Sequence, residues 1–592
     1  MRADFSFWVL RVWWFASLLV LPSGLARADV RPALTWWVTN PLTKVKPQDP
    51  APQAPEKRAN VFAGRNEFEP FQLVMRGGDI DLPGIDIEFS DFQANGATSI
   101  PKANVTVYFE QFVNLTAPSS SEGGTGLWPD PLIPRIDAYA HEKRNAFPFT
   151  LRRGRNQPLW IEIFVPTDTV CGRYTGSARI SSNGVFRFSV PVTLTVWSFA
   201  LPPTSSLRSS FGLSGTSVLK QHRGQYTSDE DLYALTRLYE RAALQHRVSI
   251  YGGSGIPPKF QYTAGQMQID WRRYDADVGP FLDGSAIPAG EPLQGAKETS
   301  VDLRLPLFAS DDEQQLWLKE WVKHFDEQDW SNRLFLYLWD EPAAQNYSKV
   351  LQRGRSALRA DSTIRNLVTV PFTPLLKEVV RIWVPLVNCL ETKPGFDPFC
   401  QQSPPLSAYT RELAQGKSLW FYQSCASHGC NITGGPYFAG WPSYMIDMQG
   451  PANRVMQWVA WKYGIEGELY YSMNESYAHD GDPWTDFRLF GGNGDGTLFY
   501  PGRPRQIGGE TDIPIESIRL KLIREGMEDY EYLALLTKLA GRKTAEAYAD
   551  RIVQKPYAWE SRPAMFLRVR QEMGEALNRL AMSGSARNID AQ

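Results

Sequence analysis

Hydrophobic and polar positions keep two different rhythms along this chain, and the change comes near residue 203. Before it, short alternating runs recur between turns: Phe71–Met75, Val105–Phe109, Leu159–Phe164, Phe186–Val190 and Val192–Val196. Alternation with a period of two places apolar residues on one face of a strand, and no long helical period interrupts it. The pattern predicts an antiparallel β-sandwich over residues 29–203. Within it, residues 46–58 read as a Pro- and Lys-containing loop, and Leu201-Pro-Pro-Thr204 as the linker out.

From Ser205, strand-like and helical segments alternate, which argues for parallel βα units. Arg208–Leu213 and Val248–Tyr251 read as the first two strands. Between them, Thr227-Ser-Asp-Glu230 forms a capping box before a helix to Gln245, with Leu232, Leu235, Tyr239 and Ala242 on one face. Residues 253–300 carry no strong period and read as a long loop. Leu303–Phe308 is a third strand that has Pro306 inside it, and Asp311–Asp326 a helix. Leu334–Leu338, Leu367–Val370, Ile382–Val387, Leu419–Tyr422 and Glu468–Met473 complete a set of eight strands, with a helix at Asn453–Tyr463 before the last. Eight such units predict a (β/α)8 TIM-like barrel over 204–510. Apolar stripes at Ile515, Ile518, Leu522 and Ile523, then Tyr530, Leu533, Leu536 and Leu539, predict a C-terminal helical appendage over 511–585.

The fourth strand carries the candidate chemistry. Leu334–Leu338 is apolar enough to be buried on both faces, and it ends in Asp340, Glu341 and Pro342. Neighbouring residues on a regular strand point to opposite faces. Both carboxylates can therefore face one cavity only if the backbone bends just there, and Pro342 discourages the strand from continuing. Two acids at the C-terminal mouth of a barrel strand are what a barrel hydrolase needs. The alternative is that one of them caps a helix starting near Pro342.

Composition narrows the choice of partner. In 592 residues, 62 basic and 64 acidic side chains give a net charge of -2, which offers nothing to nucleic acid or an anionic membrane. The 20 Trp and 24 Tyr provide flat faces with polar tips, suited to sugars but equally to β-rich cores. Residues 1–28 read as an export signal, with Arg2 and Arg11, the apolar run Val12–Leu21 and the cleavage site Ala26-Arg27-Ala28. The expected product is exported to the periplasm or beyond, without a membrane span. There, five Cys permit two disulfides, Cys425–Cys430 and Cys389–Cys400, with Cys171 left as a small buried hydrophobe. No Cys/His spacing suits zinc, and the turn cluster Gly491–Gly496 has few acidic ligands for calcium. No cofactor is expected.

Several segments together resemble the bacterial domain-of-unknown-function family 4091, neighbour of the glycoside hydrolase family 123 catalytic domain. They are Arg65-Asn-Glu67 with Phe71-Gln72, Trp128-Pro-Asp-Pro-Leu-Ile-Pro134, and Val165-Pro166 with Gly172-Arg-Tyr-Thr-Gly176. Further on come Trp339-Asp-Glu-Pro342, Trp461-Lys-Tyr-Gly464 with Gly467, the run Gly494–Gly502, and the run Ser517–Leu533. The resemblance implies a sandwich, a barrel and a helical C-terminal piece. It also implies an exported glycosidase that retains configuration by substrate assistance, acting on an N-acetylated hexosamine, N-acetylgalactosamine first. Carried onto this chain, Glu341 is the general acid/base and Asp340 orients the substrate's 2-acetamido group. The Asp340 charge and an apolar setting by Trp339 are expected to keep Glu341 protonated. Trp339, Tyr422, Tyr471, Asn474, Glu475 and Trp484 are candidate sugar contacts, with packing an open alternative for the tyrosines. Trp420 reads as packing, and His428, His479 and Asp480 as solvated loop residues. A same-fold glycosidase on a different sugar, or a non-catalytic carbohydrate-binding envelope protein, are the other readings. The adjacent acids favour an enzyme, since a binder has no need of them.

Overall fold

The computed structural model describes residues 34–589 apart from 95–97, 252–256, 309, 396–398, 401–402 and 431–434. The expected export signal lies outside the described residues. Two sheets form the N-terminal part. One runs Leu34–Thr39, Glu67–Gly77, Asn156–Val165, Val105–Leu115, Gly126–Pro134, antiparallel throughout. The other centres on Ala59–Arg65, Val185–Ala200, Gly172–Ser182, Leu82–Phe89 and Phe149–Leu151. Leu73, Leu159 and Ile161 of the first share one buried cluster with Ile85, Ile180 and Leu194 of the second. The two runs expected at Phe186–Val190 and Val192–Val196 are one strand. Pro191 does not break it, because pairing with Ala59–Arg65 begins only at Val192, so its missing N–H interrupts no bond on that side.

A second body is built on eight parallel strands: β1 (Arg208–Gly212), β2 (Ile250–Tyr251), β3 (Val301–Asp302), β4 (Leu334–Trp339), β5 (Asn366–Val368), β6 (Ile382–Trp383), β7 (Ser418–Tyr422) and β8 (Gly467–Tyr470). Their order is β2-β1-β8-β7-β6-β5-β4-β3, and the two end strands approach one another without pairing. The sheet is thus barrel-like and nearly closed. Phe335, Leu367, Ile382, Trp420 and Leu469, one from each of β4 to β8, form a small cluster on one face. Their neighbours Leu334, Leu336, Val368, Trp383, Leu419 and Phe421 belong to the large core on the other. β4 is therefore buried on both faces, as its apolar run predicts.

The structure departs from expectation where hydrophobic pattern is a poor guide. Residues 253–300 are not one loop; they hold the hairpin Lys259–Thr263/Gln266–Asp270 and the helix Arg272–Asp283. Both strands of the hairpin alternate polar and apolar residues, Lys-Phe-Gln-Tyr-Thr and Gln-Met-Gln-Ile-Asp, but each is short and the first is wholly exposed. β3 lies before the expected Leu303–Phe308, since pairing stops at Leu303, ahead of Pro306. The helix α1 (Asp229–Gln245) is capped by Ser228 rather than Thr227. The helix expected at Asn453–Tyr463 is two, Gly450–Arg454 and Met456–Tyr463. Helix α2 (Asp311–Glu327) precedes β4 and α3 (Tyr347–Ala360) follows it, whereas no helix separates β5 from β6. Both expected disulfides are formed, but Cys171 is exposed, not buried. Among the described residues no helix is long and apolar enough to cross a membrane.

The helical C-terminus is present, and its first helix, α4 (Ile518–Ala540), is interior rather than peripheral. Ser517 caps it, and Ile515 belongs to the preceding strand, Ile513–Glu516. Buried charges line α4 and reach both bodies. Arg519 grips Asp130, Lys521 and Arg524 hold Glu162, and Asp529 takes Arg454.

Candidate active site

β4 ends in a distortion. Its register with β5 slips between Tyr337 and Trp339, and Glu341 adopts a φ of 42°. A left-handed conformation costs a residue with a Cβ about 1–2 kcal/mol, so surrounding contacts must hold it. Thr369, the first residue past β5, does so. The Glu341 backbone N–H donates to Thr369 Oγ1 at 2.6 Å, and that hydroxyl donates to Asp340 Oδ1 at 2.9 Å. The Tyr337 hydroxyl donates to the same oxygen at 2.7 Å. Through this kink the adjacent carboxylates both line one cavity of about 970 Å³ at the C-terminal ends of the strands. Neither acts as a helix cap. The chain after Pro342 enters a short 3-10 turn from Ala343, then α3, and no side chain caps either.

Tyr422, at the end of β7, donates to Glu341 Oε1 at 2.5 Å. Burial, and then the Glu341 charge, push its hydroxyl well above the usual phenol range, so it remains a donor. Tyr471, just past β8, lines the same cavity, and burial raises its hydroxyl as well. Trp339 lines the cavity with the Arg353 guanidinium 4.4 Å from its ring centre. Arg353 comes from α3. Trp339 thus borders the cavity as expected, but it carries a cation on its ring, and Asp340 and Glu341 are both exposed to the cavity.

Three of the expected sugar contacts lie outside this lining. The Asn474 side-chain amide is spent on the backbone of Ser214, accepting from its N–H at 3.0 Å and donating to its carbonyl at 3.1 Å. Glu475 starts a 3-10 turn and faces His479 at 3.9 Å. Trp484 donates to the Pro501 carbonyl and packs on Tyr500. Trp420 is core, edge-on to Phe335. His428 is buried rather than solvated, and burial lowers it to about 3. His479 and Asp480 are exposed, as expected.

The cavity also holds residues that sequence reasoning missed. Thr369 was findable, because polar residues at or just past the C-terminal end of each parallel strand are the natural place to look, and Tyr422 and Tyr471, which were expected, follow the same rule. Asp495 was not, since it reaches the wall from a loop remote in sequence. It is 1% exposed. Burial raises its carboxyl to about 7, against the stabilising hydrogen bonds of Tyr471 and Tyr470. The Cys425–Cys430 disulfide stands beside it. Cys425, Cys430 and Asp495 are the close donor trio among the described residues, but the joined sulfurs leave Asp495 as its one ionisable member. Phe399 and Phe490, 50% and 61% exposed, complete the apolar part of the lining.

The protein-family comparison matches residues 309–536 to the glycoside hydrolase 123 catalytic domain and residues 42–182 to the glycoside hydrolase 123 N-terminal domain. Comparison with curated proteins found no match. Among solved structures, a family 123 glycoside hydrolase from Clostridium perfringens, described in terms of glycolipid glycan hydrolysis, aligns over 94% of this chain and 100% of its own. Its identity is 12% and its TM-score 0.66, a likeness of fold. A family 5 xyloglucanase from Bacteroides ovatus, at 11% identity, covers 79% of this chain and 98% of its own with a TM-score of 0.28, too low to bear on the fold. The catalytic-domain match spans the kinked strand end with its two acids, the N-terminal match falls on the paired sheets, and together they cover more than half of the chain, which is accordingly a glycoside hydrolase of the family 123 type.

Proposed function

We propose that the enzyme is an exported, retaining β-N-acetylgalactosaminidase that works by substrate assistance, its eight-strand sheet serving as a TIM-type barrel. The observation that carries the reading is the Asp340–Glu341 kink, which turns neighbouring acids to one cavity. In the proposed reaction Glu341 gives its proton to the glycosidic oxygen while the substrate's acetamido oxygen attacks the anomeric carbon. The bond to the leaving group breaks and a cyclic oxazolinium forms. Asp340 accepts the acetamido N–H, holding the group in line and offsetting its growing positive charge. Glu341, now a carboxylate, takes a proton from water, which attacks the same carbon and reopens the ring with configuration retained. Substrate-assisted enzymes dispense with the usual carboxylate nucleophile across the sugar. Three contacts support these roles. Tyr337 and Thr369 both bond Asp340 Oδ1, leaving Oδ2 for the acetamido N–H, and Tyr422 steadies Glu341. The glycolipid glycans cut by the Clostridium perfringens relative are one substrate class for this reading. Export is supported by two disulfides, one of them lining the cavity, since such bonds persist in oxidising compartments.

The test is a panel of chromogenic β-glycosides, 2-acetamido and plain, with wild type, Asp340→Asn and Glu341→Gln. Wild type is expected to cleave the N-acetylgalactosaminide and spare plain galactoside. Each variant should lose about 10²–10⁴-fold in kcat, the usual contribution of a positioned acid or base. Equal turnover of plain hexosides would remove substrate assistance, and full activity in both variants would remove the site.

A further inference from the structure

Phe490 occupies a position that folding alone does not favour. It is the first of two residues joining Arg488–Leu489 to Gly492–Asn493, and both turn residues have positive φ, 50° at Phe490 and 90° at Gly491. Such a turn selects Asn, Asp or Gly at its first position, and a bulky residue there is an outlier. The strain is not repaid by burial, because Phe490 is 61% exposed. Its ring meets Tyr471 edge-on at 6.2 Å and lines the same cavity as Asp340 and Glu341. Strained residues with no packing benefit concentrate at functional sites. At about 970 Å³ the cavity lies at the upper end of the usual ~300–1,000 Å³ for ligand sites, which is room for more than one sugar ring. A flat, apolar, exposed ring fixed by a tight turn suits the C–H face of a pyranose.

We infer that Phe490 is a stacking platform for a pyranose ring of the substrate adjacent to the sugar being cut, so that the hairpin tip forms a second subsite. The inference rests on the glycosidase site described above, but not on which sugar that site cleaves.

Full-length Glu341→Gln protein, with and without Phe490→Ala, is applied to an array of immobilised oligosaccharides bearing both 2-acetamido and plain hexoses. The single variant is expected to retain some glycans of two or more rings, and the double variant to bind the same glycans at least about fivefold more weakly, the size of a typical aromatic contact. Phe490→Trp in the same background should restore retention. Equal retention by single and double variants, or none by either, overturns the subsite. Retained glycans that lack any 2-acetamido sugar would instead overturn the substrate reading and leave the subsite standing. Thermal melting separates binding from structure: Phe490→Gly, which fits the turn, should melt at or above wild type, and a clear drop would make Phe490 a folding residue.

Discussion

The adjacent acids depend on a hydroxyl that sequence reading passed over. Thr369 both accepts from the Glu341 backbone and donates to Asp340, so a single oxygen fixes the kink and one of the acids it presents. Tyr422 shows the same economy, since burial keeps its hydroxyl protonated and able to donate to Glu341. Asp495 is the residue whose titration is most exposed to test. Its ordinary value near 3.8 becomes about 7 in the fold, chiefly through burial. Between those values the folded chain holds one more proton than the unfolded chain, so stability falls as pH rises through that window and is level above it. The loss is on the order of 4 kcal/mol if the full shift is realised. Asp495→Asn abolishes this titration. Its melting temperature relative to wild type should therefore rise from pH 5 to pH 8, and a constant or shrinking difference would show that the carboxyl is ionised in the folded wall.

Among the elements, α4 carries more of the architecture than its place near the end of the chain suggests. Arg519 makes paired bonds to Asp130 at 2.9 and 2.8 Å and donates to the carbonyls of Tyr444, Gly494 and Thr497. It thereby ties the paired sheets to the loop that brings Asp495 into the cavity. Both partners are fully buried, and removing one partner of a buried pair costs about 3–5 kcal/mol because a charge is left alone. Arg519→Met should destabilise the protein by that amount in denaturant unfolding, and adding Asp130→Asn should recover part of it. Equal stability of the single and double variants would mean that the pair is not coupled. The segments carrying the family resemblance acquire a physical meaning here. Glu67, Asp130 and the run Ser517–Leu533 are largely this ionic network, with Arg570 on Glu67 and Arg247 on Glu528, so much of the resemblance reports how the bodies are joined rather than how the sugar is cut.

At the scale of the whole molecule, the two bodies share this charge network and neither is electrostatically complete alone. Residues 204–592 without the paired sheets would leave Arg519, Lys521, Arg524 and Arg570 without Asp130, Glu162 and Glu67. That fragment should be insoluble or lack the near-ultraviolet circular dichroism of a packed core, and a soluble, active fragment would refute the dependence. The near-neutral net charge of -2 conceals this arrangement, because composition counts charges without saying which are paired out of water. The sequence alone was enough for the alternating strands, seven of the eight parallel strands to within a few residues, both cysteine pairs and the acidic strand end, because period, turn residues and chain proximity are local properties. It missed the hairpin at Lys259–Asp270, whose two short alternating strands lie in a Gly- and Pro-rich stretch and of which the first is wholly exposed. It also offered Asn474, Glu475 and Trp484 as sugar contacts, and the structure leaves them outside the cavity lining, since nearness to a strand end does not say where a side chain finds its partner. Thr369 meets the acids through the pairing of β4 with β5, and Arg353 comes from the helix that follows β4. Phe490 and Asp495 share the acids' cavity although they are remote in sequence, and Arg519 of α4 bonds the Gly494 carbonyl beside Asp495. Which groups share a cavity, and which of them burial strips of charge, are consequences of packing across the chain, and these only the tertiary structure could decide.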